Sequence, residues 1–277
     1  MIRTKLVALI STTLLSFPLF AAPISVSGST SVARVMDVLA EDFNQAHPDS
    51  YVEVQGIGST AGITLVKKGI VQVGMSSRYL IESEESDDLT VDTIALDGLA
   101  VVVNQANPVQ NITREQLFDI YQGKISNWKQ LGGADQDIAV VTREASSGSR
   151  YSFEHLLGLT RIINNHEVSD INPQNLVVNS NSMVKTLVSH NRQAIGFVST
   201  GSVDRSVKAL QFDGVEASPS NVASGKYELA RPFLILYHPE KVNSEVKAFI
   251  DFIDSDAAKQ RIQEYGYTPI DMKKAQQ

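Results

Sequence analysis

The sequence predicts an α/β fold of two lobes, each a mainly parallel sheet flanked by helices, with two crossing strands joining them. Three observations carry this. From Pro23 to Ser77, short β-type runs alternate with helical spacings in the order βαβαβ, the pattern of a parallel sheet. A second alternating series follows from Ile138 to Val198. Two uncharged, β-branched, turn-free runs, 99–104 and 232–237, look alike and suit one strand leaving the first lobe and another returning to it. The limits are then 23–102 and 232–277 for the first lobe and 103–231 for the second. A single continuous α/β domain is the alternative that the pattern leaves open.

Each element has its own signal. "PISVSGS" is a short strand ending at Gly28. Val32, Val35, Leu39 and Phe43 then recur at helical spacing, and His47-Pro48 stops that helix. "SYVEVQGIGS" returns to strand, after which Ser59 is placed to cap a second helix ending near Gly69. "VQVGMSS" is a third strand. The long apolar run "TIALDGLAVVVNQANP" is broken by Asp97-Gly98 and reads as two strands. Thr113 and Gln116 have the spacing of a capping box over Leu117, Ile120 and Tyr121. Then come strand 138–141, helix 151–157, strand 176–178, helix 182–189 and strand 194–198. The β-like run "RPFLILY" follows, and "VKAFIDFIDSDAAKQRIQEYG" reads as two helices.

Composition narrows the function. The chain has 277 residues, 43% of them hydrophobic, enough for a sizeable core. A net charge of −7 argues against a nucleic-acid binder, yet an acidic protein can still carry a local positive pocket. The first 22 residues have Arg3 and Lys5, a short apolar core, and a small-residue end at Ala21-Ala22. That is the pattern of a cleaved secretory signal peptide, and the apolar core falls short of the ~20 residues needed to span a bilayer. The chain has no cysteine, so the fold holds without disulfides and no N-terminal cysteine is available for a lipid. The expectation is a soluble, exported, periplasmic monomer.

Chemistry concentrates in loops of one design, "GSTSV" (28–32), "GIGSTAG" (56–62) and "REASSGSR" (143–150). Each places small hydroxyls and glycine where a strand ends and a helix begins. Helix N-termini present unpaired N–H groups and a partial positive charge, which makes them oxyanion sites. Any one of these loops alone is better read as ordinary helix capping; together, with arginines flanking the last, they point to an anion. Arg143 stands at a strand end, where its fork of donors matches phosphate oxygens. Arg78 also follows a strand end and is a second candidate. Arg150, within the first helical turn, reads equally as a surface charge. "ESEESDD" (82–88) reads as a solvated acidic turn.

Rival chemistries fail on spacing. "GIGSTAG" is not G-x-G-x-x-G, and no Walker-type motif occurs. His155 follows Ser147 by eight residues, which on a helix carries it away from the hydroxyl, so a serine hydrolase lacks its base. The histidines form no i,i+4 pair, so no zinc motif is present, and no cofactor is expected.

These residues resemble the PstS-type phosphate-binding proteins, the periplasmic receptors of phosphate ABC importers. The stretches that carry the resemblance are "GSTSV", "QGIGSTAGI", "NITREQLFDIYQGKISNWKQLGG" and "VTREASSGSR". It implies a type II periplasmic binding fold that holds inorganic phosphate between its lobes and delivers it to an inner-membrane permease, without catalysis. It assigns the ligand to Ser29, Thr30, Ser31, Ser59, Arg143, Ser147, Gly148 and Ser149, and the strand end at 77–78 adds Ser77 and Arg78 as candidates. One departure bears on selectivity. Well-known members place an aspartate where this chain has Ser77, and its carboxylate accepts the proton of phosphate. Ser77, or Glu144 if it faces the cleft, is then the expected acceptor, with sulfate rejected less strictly. A receptor for sulfate, molybdate or tungstate is the alternative; a secreted hydrolase or phosphatase, or an adhesive surface protein, ranks below it.

Overall fold

A computed structural model describes residues 23–272; the proposed leader, 1–22, lies outside the described residues. Strand β1 (Ile24–Gly28) leads into helix α1 (Thr30–Ala46), and β2 (Val52–Gly56) into α2 (Ser59–Lys67). After β3 (Val73–Ser76) comes the long β4 (Thr90–Val103), then helix α3 (Arg114–Gln122). The second series is β5 (Ala139–Arg143), α4 (Gly148–Leu157), β6 (Leu176–Val178), α5 (Asn181–His190) and β7 (Ala194–Ser199). Strand β8 (Ala230–Tyr237) and helices α6 (Ser244–Ile253) and α7 (Asp256–Glu264) follow.

The main sheet runs β2-β1-β3-β8-β4-β7-β5-β6. Pairing is parallel at both outer ends, where βα crossovers supply the strands. It is antiparallel in the middle, where β8 lies between β3 and β4, and β7 pairs with β4.

Strand β4 corrects one expectation. Asp97-Gly98 does not break it; it is a single strand of 14 residues. What changes there is its neighbour: β8 pairs with it from Thr90 to Gly98, and β7 from Leu99 to Val103. Asp97 forms no turn because its side chain is held by groups from β7 and β8. Gly98 is needed for close approach, since a Cβ there would lie 2.8 Å from Thr200 Cγ2. The apolar interior divides at the same point. Val32, Val35, Leu39 and Phe43 of α1 bury against β1, β3 and α6, with Phe43 edge-on to Phe249 at 5.1 Å. On the other side, Tyr121, Phe153 and Phe197 form a cluster, the two phenylalanine rings stacked at 4.0 Å.

Local chemistry starts the helices. Ser29 Oγ caps α1, accepting from the Ser31 and Val32 amides at 3.2 and 3.4 Å. The Thr113/Gln116 capping box forms as the spacing predicts. Ser59 does not cap α2: Gly58 is the cap residue, at φ 97°, and Ser59 opens the helix with its hydroxyl turned elsewhere. Glycine at 58 is required because that dihedral is strained for any residue with a Cβ.

Candidate functional site

The N-termini of α1, α2, α4 and α5 converge where the two halves of the sheet meet. Several of their hydroxyls are bonded to one another. Ser77 Oγ accepts from Ser29 Oγ at 2.9 Å and lies 3.4 Å from Ser59 Oγ, which accepts from the Ser77 amide at 3.0 Å. Across the halves, Ser31 and Ser149 hydroxyls are 3.1 Å apart. Ser152 Oγ donates to the Ser77 carbonyl at 3.1 Å. Ser147 caps α4, its hydroxyl accepting from the Arg150 amide at 3.3 Å. Gly148 lies so close that a Cβ on it would stand 2.2 Å from Ser59 Oγ and 2.6 Å from Ser77 Oγ.

Arg143 sits at the end of β5, 1% exposed. Its Nη2 donates to Thr30 Oγ1 at 3.2 Å, in the other half, and to the Asn179 carbonyl at 3.0 Å. Both Glu144 oxygens accept from it at 3.1 Å. Glu144 therefore faces Arg143 and balances its charge, each of its oxygens accepting from the guanidinium.

The structure brings together Ser29, Thr30, Ser31, Ser59, Ser77, Arg143, Ser147, Gly148 and Ser149. It does not bring in Arg78. That guanidinium is buried beside Glu84, pairing with its two oxygens at 2.6 and 2.7 Å, and lies over the Tyr151 ring at 4.8 Å. Glu84, from the segment read as a solvated turn, is thus a structural partner. Burial works to raise its carboxyl, but the hydrogen bonds from Arg78 and the Ile81 amide, with the charges of Arg78 and Lys67, hold it below the ordinary range. Arg150 turns away to Glu154 at 2.8 Å.

Sequence reasoning missed three residues. Arg231, at the head of β8, places its guanidinium among the hydroxyls: Nη1 donates to Ser149 Oγ at 2.8 Å and Ser77 Oγ at 3.1 Å, and Nη2 to Ser31 Oγ at 3.1 Å. Asp97 holds it from behind, one oxygen accepting from Nε and Nη2 at 3.0 and 2.8 Å. The other Asp97 oxygen accepts from Ser199 Oγ and from the Thr200 amide and hydroxyl. Burial raises the Asp97 carboxyl and lowers Arg231, and the attraction between them opposes both shifts. Asn181, opening α5, donates to Ser31 Oγ at 3.1 Å. A signal for the pair was present: Arg231 is the lone charge of β8 and Asp97 stands in the apolar stretch 93–103 of β4, and buried charges need an opposite partner.

The arrangement can wrap a small tetrahedral anion in N–H and O–H donors contributed by both halves. Residues 14–257 match the family model of the PBP superfamily domain. The chain is 32% identical over 256 residues to the phosphate-binding protein PstS of Bacillus subtilis, covering 90% of this chain and 82% of that one. It is 30% identical over 251 residues to PstS of Borreliella burgdorferi, covering 89% and 90%. Among solved structures, an ABC-type phosphate transport receptor from Vibrio cholerae is 62% identical with a TM-score of 0.75, covering 88% of this chain and 99% of that one. A structure from Clostridium perfringens with bound phosphate is 39% identical with a TM-score of 0.84, covering 90% and 100%.

Proposed function

The chain belongs to the PBP superfamily, and within it to the PstS-type phosphate-binding proteins; from that premise we propose how it works. It is the substrate-binding receptor of a phosphate ABC importer and takes inorganic phosphate between its two halves. The observation that carries this is the convergence of Arg143 with hydroxyls from several helix N-termini, drawn from both halves. Calorimetric titration with inorganic phosphate tests it: saturable one-to-one binding is expected, and no heat would remove the reading.

The lobes are 23–102 with 232–277, and 103–231, hinged where β4 changes neighbour and β8 begins. Two strands can bend there without breaking either half's core. Gly148 lies at the closing surface, so Gly148→Ala should wedge the halves apart. Phosphate affinity is expected to fall roughly 5- to 150-fold, since ~1–3 kcal/mol is the usual cost of overpacking. Alanine is a good helix former, so the melting temperature without phosphate should hardly move. Unchanged affinity in a titration would contradict this placement.

The receptor is not an enzyme. Ser147 caps its helix through the Arg150 amide, and His155 bonds the Tyr151 carbonyl and Glu167 instead of that hydroxyl. It acts in the periplasm as a monomer that meets a membrane permease. Among the described residues, no helix is long and apolar enough to cross a membrane. The leader is removed, and N-terminal sequencing of periplasmic material should start at Ala22 or Pro23; membrane-bound protein retaining Met1 would contradict this.

A further inference from the structure

Ser77 was expected to accept the proton of phosphate. Its hydrogen bonds point the other way. A hydroxyl oxygen has two acceptor sites and one proton. Both acceptor sites are filled, by Ser29 Oγ at 2.9 Å and Arg231 Nη1 at 3.1 Å. Ser29 cannot reverse, because its own oxygen accepts the α1 amides as the helix cap. Arg231 has only donors to offer. Ser29 and Ser77 belong to the first lobe, and Arg231, at the lobe boundary, is fixed to them by the pairing of β8 with β3 and with β4 at Asp97, so these bonds persist when the halves part. Ser31 Oγ is in the same position, accepting from Arg231 Nη2 and Asn181 Nδ2, each at 3.1 Å. The nearby carboxylates are engaged as well: Asp97 by Arg231, Ser199 and Thr200, and Glu144 by Arg143.

The geometry points to Arg231 as a second anion-binding arginine which, locked on Asp97, makes Ser77 and Ser31 donors, so that the cleft selects tetrahedral dianions. This rests on the phosphate-receptor reading above. Doubly charged phosphate, with one proton to place, is accepted; singly charged phosphate, with two, is disfavoured. Sulfate, which has none, brings no proton that lacks an acceptor and is admitted as well. The dependence on pH comes from the ligand. The charged and titratable groups facing Arg231 are Asp97 from β4, Arg143 and its partner Glu144 at the end of β5, and Tyr267 after α7; no histidine hydrogen-bonds to any of them among the described residues.

The test is titration of the wild-type protein with inorganic phosphate from about pH 8 to about pH 5, across a second ionisation that lies near 6 in phosphate esters. Affinity should fall by about tenfold per pH unit below that ionisation. Sulfate at constant ionic strength should compete with phosphate at comparable concentrations, because it brings no proton that lacks an acceptor. Ser77→Ala, a small change, should weaken phosphate and sulfate by the same factor, because it removes a donor to both. Arg231→Lys should weaken phosphate and flatten the pH profile, because Ser77 is then free to accept. A wild-type affinity independent of pH, rejection of a thousandfold excess of sulfate, or a Ser77→Ala loss confined to phosphate would each overturn the inference. Absence of phosphate binding at neutral pH would instead overturn the receptor reading itself.

Discussion

Arg143→Ala is expected to weaken phosphate binding by roughly 10- to 150-fold, and Arg150→Ala by no more than about threefold. A hydrogen bond to a charged group contributes about 1.5–3 kcal/mol net, which sets the first range. Arg143 is buried and reaches Thr30 across the two halves, so its charge is presented where the proposed site takes the anion. Arg150 is committed to Glu154, Ser169 and the Arg143 carbonyl, and so can act on the anion only through the backbone. Glu144 is 26% exposed and stays hydrated when Arg143 is removed, so the loss should appear in binding rather than in folding. Calorimetry of both variants at one ionic strength checks this, because screening alters charged binding by itself. Equal losses for the two would sink the assignment.

Asp97→Ala is expected to cost about 3–5 kcal/mol of folding stability, the penalty for leaving one member of a buried ion pair alone. Its side chain is 0% exposed and that of Arg231 1%, so no water replaces the carboxylate. For a protein of this size the melting temperature should fall by roughly 6–20 °C. The Ser199 and Thr200 donors lose their acceptor as well, which favours the upper part of the range. Removing both charges together, Asp97→Ala with Arg231→Met, should recover much of the loss. If the double variant is no more stable than Asp97→Ala, the cause is packing and not an unpaired charge.

Much of the fold was legible because its signals are short-range. The α1 stripe, the Thr113/Gln116 box and the strand at 176–178 all depend on residues within a few positions of one another. The hairpin of Thr160–Ile163 and His166–Ser169 was not read, although its turn signal was there: Asn164 and Asn165 adopt φ of 50° and 62°, which asparagine tolerates better than most residues. The Asp97-Gly98 pair misled for the converse reason. Its turn chemistry is real, but contacts from β7 and β8 override it.

The sequence by itself determined where helices begin and which hydroxyls stand at their starts. Helix starts are signalled within three or four residues, so Ser29, Ser31, Ser59, Ser147 and Ser149 could be placed at helix starts without coordinates. Only the tertiary structure decided where the guanidiniums go. Arg78 follows a strand end just as a ligand arginine would, yet Glu84 six residues on takes it out of the cleft. Arg231 enters the cleft because Asp97, 134 residues away along the chain, lies beside it in the sheet. A long side chain is directed by the charges it meets in space, and their attraction falls with distance, not with separation in sequence.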